Sequence, residues 1–300
     1  MFSSNRNKNY MWFIFSRFVR IGVTQILPDK LYLKIAYKIA TKKKLNVDFP
    51  ETFNEKLQWL KLYDHNSQYI RMVDKYAVKQ YVTDRGYKRY IIPTLGVWES
   101  FSDIDFSKFP EQFVLKCTHD SGGVVICQDK STFDIDFAKR KLERSLKRNF
   151  YYYGREWPYK KVKPKIIAER YLVGAIVEYK FFCFDGHPKF ILVCIGEGHG
   201  ANRTHCWVNL EFENLPFRIG SWSQIKTKVN KPDNFQEMID FVTNMSKGIP
   251  HVRVDLYNVD GKIYFGEFTF FHESGFQVFI PKEWDKKIGE LIVLPHKKKM

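Results

Sequence analysis

The sequence predicts an α+β protein, and three observations predict it. Short apolar runs occur as antiparallel pairs across polar turns, at 113–117 with 124–127, 179–184 with 190–195, and 252–270 as one hairpin. Amphipathic helical stretches separate these pairs instead of alternating with single strands. With 300 residues, 44% apolar and 17% aromatic, the chain can bury more than one core, which excludes global disorder.

Taken in order, residues 10–45 read as helical, with Phe13, Phe15, Phe18 and Val19 interleaved with Arg17 and Arg20, and a new turn starting at Pro28. Such a segment suits either packing on the body, the favoured reading, or lying on a membrane surface. Thr52-Phe53-Asn54-Glu55 is a capping box that opens a helix through Leu62. One further helix is expected over 68–85, closed by Gly86, and a short strand pair over 90–97 broken at Pro93. The strand 113–117 runs into a turn ending in Gly122-Gly123 and resumes at 124–127. A helix follows over 134–150, with Phe137, Leu142 and Leu146 on one face. Strands are expected at 166–169, 179–184 and 190–195, the last two joined at Asp185-Gly186. Residues 196–233 read as irregular and too long for a passive connection. A helix over 233–247 stops at Gly248 and Pro250, ahead of the final hairpin.

Charge and cysteine usage narrow the function. The 49 Lys and Arg against 33 Asp and Glu leave a net charge of +16, which attracts polyanions such as nucleotides, acidic polysaccharide, nucleic acid or anionic lipid. Five cysteines without C-x-x-C spacing argue against a disulfide framework and a zinc ribbon, and suggest buried thiols. The richest apolar stretch, 11–27, is interrupted by Arg17 and Arg20, so no span is expected, nor a secretory leader. A cytoplasmic protein is expected, with contact at the inner membrane face left open.

The final hairpin is the most informative piece. Read as a three-residue loop at Val259-Asp260-Gly261, it pairs Arg253 with Glu267 and Asp255 with Phe265, leaving Asp255 one diagonal from Glu267 with Thr269 on the same face. Two neighbouring carboxylates need a cation, and Mg²⁺ shared with phosphate oxygens is one answer. An Arg253–Glu267 ion pair, with Asp255 at a solvent edge, is the other. Lys116 ends an apolar strand just before Ser121-Gly122-Gly123, an arrangement suited to clamping phosphate but lacking Walker order. Residues 166–172 leave a buried strand with one acid, Glu169, as a nucleotide hinge would. Glu178 and Lys180 share a strand face, and Arg203 sits in the Gly-rich loop. The histidines have no metal-ligand spacing, and Ser121 lacks a nucleophile-elbow setting.

In order along the chain, these pieces resemble the TupA-like branch of the ATP-grasp superfamily, associated with bacterial surface polysaccharide loci. The resemblance rests on Thr52-Phe53-Asn54-Glu55-Lys56-Leu57-Gln58-Trp59-Leu60, Val73-Asp74-Lys75-Tyr76-Ala77-Val78, Phe113-Val114-Leu115-Lys116 with Gly122-Gly123, Tyr151 to Pro158, Glu178 to Phe184, and Val252 to Tyr257. It implies two α+β lobes clasping ATP after a helical N-terminal segment (1–50), with a linker lobe at 51–108, a small lobe at 109–172 and a large lobe at 173–300. By that resemblance ATP would be bound by Lys75, Lys116, Ser121, Gly122, Gly123, Glu169, Arg170, Leu172 and Glu178. Mg²⁺ would be held by Asp255, Glu267 and Thr269, the last standing where the family commonly has Asn. Arg203, Lys180 and Arg253 would serve catalysis.

The activity so implied is ligation through an acyl-phosphate. A carboxylate attacks the γ-phosphate of ATP, then an amine displaces phosphate. The polysaccharide setting and the +16 charge suggest an acidic glycan or uronic-acid acceptor and an amino acid or other amine. Nucleic acid is not expected as a partner, while a membrane or lipid-linked glycan is an open one. The rival readings are a glycosyltransferase, which would depend on a nucleotide sugar, and a non-catalytic binder of polyanions, indifferent to Asp255→Asn.

Overall fold

Two antiparallel sheets, each with its own apolar core, carry the chain in a computed structural model that describes residues 10–196, 204–220 and 229–296. The first half supplies helices α1 (Tyr10–Arg20), α2 (Asp29–Thr41), α3 (Phe53–Tyr63), α4 (Gln68–Val73) and α5 (Ala77–Thr83). The smaller sheet follows, made from β1 (Thr94–Trp98), β2 (Phe113–Cys117), β3 (Val124–Cys127) and β4 (Ile166–Arg170) in the order β1-β4-β2-β3. Helix α6 (Ile135–Leu146) covers this sheet, and the short α7 (Tyr151–Gly154) leads back to β4. The larger sheet contains β5 (Ile176–Phe184), β6 (His187–Ile195), β7 (Thr204–Val208), β9 (Val252–Val259) and β10 (Lys262–Thr269), ordered β10-β9-β5-β6-β7. A two-stranded ribbon of β8 (Arg218–Ile219) with β11 (Phe279–Ile280), helix α8 (Phe235–Ser246) before β9 and helix α9 (Trp284–Gly289) complete the fold.

Local sequence explains several of these elements directly. Thr52 accepts from the Glu55 amide while the Glu55 carboxylate accepts from the Thr52 amide, so the capping box at the start of α3 is realised. Helix α8 buries Phe235, Met238, Phe241, Val242 and Met245, a stripe at three- and four-residue spacing pressed on β5, β6 and β9. Each such side chain contributes roughly 1.5–3 kcal/mol by leaving water, and Phe241→Ala is the single change that would most damage this contact. Past its end, Gly248 takes a left-handed φ of 75° and its amide donates to Asp185 at 2.9 Å.

Five expectations are corrected. The helix expected over 68–85 is two helices, because Asp74 stays extended and its carboxylate accepts from the Tyr76 and Ala77 amides, starting α5 afresh. Only one strand, β1, forms near Pro93, because residues 88–90 coil into a 3-10 turn. Phe137 is exposed, and Ala138, Leu142 and Ser145 make the buried face of α6. The stretch 196–233 contains β7, whose His205, Cys206, Trp207 and Val208 are all buried beside β6.

The fifth correction concerns the final hairpin. Asp260 (φ 48°) and Gly261 (φ 79°) both take left-handed conformations, which makes a two-residue turn. A bulge at Gly266 then shifts the register by one, so Asp255 stands opposite Glu267 and Arg253 opposite Thr269.

At the N-terminus the packing reading holds for one face of the segment. Phe15 and Val19 of α1 and Tyr32, Leu33, Ala36 and Tyr37 of α2 are buried, with Trp12 tilted against Phe276. All five cysteines are buried free thiols. Among the described residues no helix is long and apolar enough to cross a membrane.

Candidate active site

Four structural pieces converge on the candidate site: the break between α4 and α5, the β2–β3 turn, the end of β4, and the β5-β9-β10 face of the larger sheet. Sequence alternation decides what each strand presents. On β4 the register sets Glu169 opposite Val114 of β2, so Lys116, two residues along β2, shares its face. The Lys116 ammonium meets Glu169 at 2.6 Å, and Lys79 of α5 grips the other carboxylate oxygen while donating to the Ile92 carbonyl at 2.6 Å. Burial alone would raise the Glu169 carboxyl, but the two lysines outweigh it and hold it down at about 2.

The β2–β3 turn is built as a polar cradle. The Cys117 amide donates to the Gly123 carbonyl at 2.7 Å, which closes a turn whose Thr118, His119 and Asp120 are buried and whose Ser121 and Gly122 are exposed. Lys75, in the break between α4 and α5, donates its amide to Thr118 at 3.0 Å and its ammonium to the Asp120 carbonyl. The Asp120 carboxylate accepts from Ser145 of α6. The His119 Nε2 faces two carbonyls, Ser145 at 3.2 Å and Arg148 at 3.0 Å. Carbonyls only accept, so Nε2 carries the hydrogen. Gly123 is required by close approach, since a Cβ there would lie 2.5 Å from the Ser145 hydroxyl and 2.8 Å from Asp120. Thr118 Oγ1, His119 Nδ1 and Asp120 Oδ1 are buried without a protein partner, so the cradle retains unspent polar capacity.

On the larger sheet, Lys180, Asp255 and Glu267 form one row across β5, β9 and β10. Lys180 spans Glu178 and Asp255, each at 2.6 Å. The Arg253 guanidinium takes both Asp255 oxygens at 2.7 Å, reaches Glu267 at 3.3 Å, and donates to Nδ1 of His272 at 2.7 Å. That bond requires a bare Nδ1. Burial, followed by the charge of Arg253, keeps His272 neutral by pushing its pKa well below the usual range. Burial opposes the charge on Lys180, yet Asp255 and Glu178 raise its pKa above the normal lysine value. Asp255 is 1% exposed and Glu267 44%, so the first carboxylate is enclosed by cations while the second opens to solvent. Thr269 lies 3.4 Å from Glu267.

The two clusters belong to one site. Burial would raise Glu267, but Lys75 is the strongest of the charges that lower it, followed by Arg253 and Lys180. The Tyr257 phenol is pushed well above its usual range by burial and then by the charges of Glu178, Glu267, Asp255 and Glu169. Beneath them, α3 holds the loop that follows β10. Glu273, Ser274 and Gly275 all have positive φ, and Gln58 and Lys61 donate to the Ser274 carbonyl at 3.0 and 2.7 Å. Ser274 in turn donates to Glu156 at 2.7 Å. Burial pulls Lys61 down to about 7 against the opposing charge of Glu156.

The structure therefore brings together Lys75, Lys116, Glu169, Glu178, Lys180, Arg253, Asp255, Glu267 and Thr269. Ser121 and Gly122 are exposed on the cradle, and Gly122 takes a φ of 108°. Leu172 is half-buried in the connection from β4 to β5. Arg170 does not join the cluster. It alternates to the opposite face from Glu169 and lines an open cavity of about 660 Å³ with Gln112, Gln128, Asp129 and Tyr171. Arg203 lies outside the described residues. Sequence reasoning missed Lys79, Ser145 and His272, and took His119 and Asp120 only as part of a turn, 119–124, that the resemblance sets over phosphate. Of those missed, only Lys79 had a signal, one helical turn after Lys75.

Two all-antiparallel sheets, a glycine turn beside a strand-end lysine, and facing carboxylates on the last hairpin define the ATP-grasp class. The sequence matches the model of the TupA-like ATP-grasp family over residues 55–293, and the chain belongs to that family. Solved structures with similarity include a D-alanine–D-alanine ligase from Bacillus anthracis complexed with ATP, at 17% identity over 66% of this chain and 55% of that one, with a TM-score of 0.40. An L-amino acid ligase from Bacillus licheniformis shows 16% identity, 87% and 55% coverage and a TM-score of 0.44. A biotin carboxylase from Campylobacter jejuni shows 12% identity, 81% and 49% coverage and a TM-score of 0.40. The chain spans about half the length of these proteins. No curated protein matches it.

Proposed function

We propose that this protein is an ATP-dependent carboxylate–amine ligase that works through an acyl-phosphate and amidates a uronic-acid carboxylate of a capsular or other surface polysaccharide with an amino acid. The observation that carries the ligase reading is the Lys180–Asp255–Glu267 row under the influence of Lys75, because it sets facing carboxylates beside phosphate-seeking lysines. The glycan part rests on the +16 charge and on the polysaccharide setting of the proteins that the sequence resembles.

The donor types fit Mg²⁺, with Glu267 open to it and Asp255 reaching it on exchange of its bonds to Arg253 and Lys180. Among the described residues no group of three His, Cys, Asp or Glu gathers to hold a metal by protein alone. Two carboxylates and the Thr269 hydroxyl leave room for phosphate oxygens to complete a hard-oxygen shell. Asp255, Glu267 and Thr269 would hold the ion, which would neutralise phosphate charge during transfer.

This chain's own groups supply the rest. Lys75 and Lys116 meet phosphate oxygens, and the turn through Ser121, Gly122 and Gly123, exposed at its first two residues, caps them. Glu169 aims Lys116 and Lys79, and Leu172 offers an apolar surface to the base. Lys180 and Arg253 hold Asp255, while Arg203 completes the set by resemblance. The substrate carboxylate oxygen attacks the γ-phosphorus and the bond to ADP breaks. The amine then attacks the acyl carbon, phosphate leaves with the bonding pair, and the amine gives up a proton.

The test is thermal stabilisation by Mg-ATP, by UDP-sugars and by neither, in the wild type and in Glu267→Gln, followed by ADP release with uronate glycans and amino acids. A rise with Mg-ATP that shrinks in the variant supports the site. A rise with UDP-sugars alone would move the activity to glycosyl transfer, and no ADP release with any acceptor pair would remove the glycan reading.

A further inference from the structure

The N-terminal helices present an outward surface that the ligase reading does not use. Helix α1 buries Phe15 and Val19 on one side, while Phe13, Ile14, Phe18 and Ile21 stand exposed on the other, continued past its end by Val23 and Ile26. Ile21 is 70% exposed and Ile26 87%, unusual values for isoleucine, and the run is contiguous along one helix face and the turn after it. Arg17 and Arg20 project from the same face, and Lys30 and Lys34 are exposed on the neighbouring α2. From residue 10 to residue 44 there are eight Lys or Arg and one acid, Asp29. That acid is engaged by the body of the protein, accepting from Tyr151 at 2.5 Å and pairing with Arg155 at 3.4 Å. Lys30 pairs with Asp48 of the next segment at 3.5 Å, so the surplus charge of this apolar face is carried by Arg17, Arg20 and Lys34.

We infer that α1 and the turn after it form a docking surface for an anionic phospholipid bilayer, with the apolar face entering the interface and the arginines and lysines meeting headgroup phosphates. Charge decides between this occupant and a second copy of the chain. Two such faces brought together would oppose Arg17, Arg20 and Lys34 to their like, and the one carboxylate beside them, Asp48, already pairs with Lys30 at 3.5 Å. A bilayer of anionic lipid supplies both the hydrocarbon and the counter-charge. The docking surface shares no residue with the ATP site, so the two proposals fail separately.

Flotation of the full chain with phosphatidylcholine vesicles, with and without phosphatidylglycerol, tests the inference. Wild type should float with the anionic vesicles, weakly with the neutral ones, and less at high salt. Arg17→Gln with Arg20→Gln should reduce anionic binding about 30-fold, since each surface cation contributes about 1 kcal/mol. Phe18→Ser with Ile21→Ser and Ile26→Ser should abolish flotation while leaving the melting temperature unchanged, because all three side chains are exposed. Flotation equal in the wild type and the serine variant would overturn the inference, as would no flotation of the wild type. So would a wild-type dimer in sedimentation that the serine variant dissolves. Stabilisation by Mg-ATP, measured on the same samples, reports on the ligase reading alone.

Discussion

The two halves of the candidate site solve opposite electrostatic problems. Around Glu169, two lysines share one buried carboxylate, so the cluster carries surplus positive charge and is completed by an anion. Around Asp255, Lys180 and Arg253 stand among three carboxylates, Glu178, Asp255 and Glu267, so that cluster is completed by a cation. Neither arrangement is the self-sufficient ion pair of a structural core. Lys75 links them, anchored to the glycine turn by Thr118 and Asp120 while its charge lowers Glu267. A nucleotide polyphosphate with a divalent ion has the charge distribution to satisfy both.

The contrast breaks if the clusters respond alike to added ions. Arg253→Met removes the cation that separates Asp255 from Glu267, and should cost about 3–5 kcal/mol in urea denaturation. MgCl₂ should restore part of that loss and polyphosphate should not. Glu169→Gln leaves Lys116 and Lys79 facing each other. It should cost about 2–3 kcal/mol, less than a fully buried pair because Lys116 is 21% exposed. Here ATP or polyphosphate should restore stability, and Mg²⁺ alone should not. If each ion rescued both variants equally, the division of charge between the lobes would be wrong.

Acidification should weaken the larger-sheet side first. Burial pushes His251 down to about 3, and His272 is lowered as well, whereas an unfolded histidine takes its proton near 6.5. Between those values the unfolded chain binds more protons, so stability falls as pH drops below 6.5, by up to about 1.4 kcal/mol per pH unit for each histidine. The Glu169 cluster is lost later. With a folded value near 2 and an ordinary one near 4.5, its contribution is complete above 4.5 and disappears as pH falls toward 2. Denaturation profiles of the wild type and His251→Gln between pH 7.5 and 5 check the order, which reverses if the variant shows the same slope.

The smallest effect separates the sheets by geometry. A Cβ at Gly266 would sit 3.0 Å from the Asp255 carbonyl and 3.2 Å from the Tyr257 ring. Gly266→Ala should therefore cost about 1 kcal/mol and lower the Mg-ATP thermal shift, because the bulge aligns Asp255 with Glu267. An unchanged shift would mean that the row tolerates either register.

The sequence exposed the members of the site more completely than their relations. Lys116, Glu169, Lys180, Asp255 and Glu267 were placed on strand faces by alternation but singled out together only by the family resemblance, whereas the capping box of α3 and the stripe of α8 were legible because their signals lie within one or two turns. The Asp255–Glu267 pairing was misread, since a turn of two left-handed residues and a one-residue bulge each move the register, and composition alone does not distinguish them. Ser145 and His272 were not legible at all, and Lys79 only by its spacing from Lys75. Each acts through a partner distant in the chain, as His272 does on Arg253 from 19 residues away and Ser145 on Asp120 from 25.

By itself the sequence determined the α+β class, the antiparallel hairpins, the family motifs and the cationic surplus, because these depend on local periodicity, turn chemistry and charge count. Only the tertiary structure decided which carboxylates face each other, which lysines share Glu169, and which face of α1 is left uncovered. Those depend on register and on contacts between segments far apart in the chain, where a shift of one residue exchanges a buried face for an exposed one.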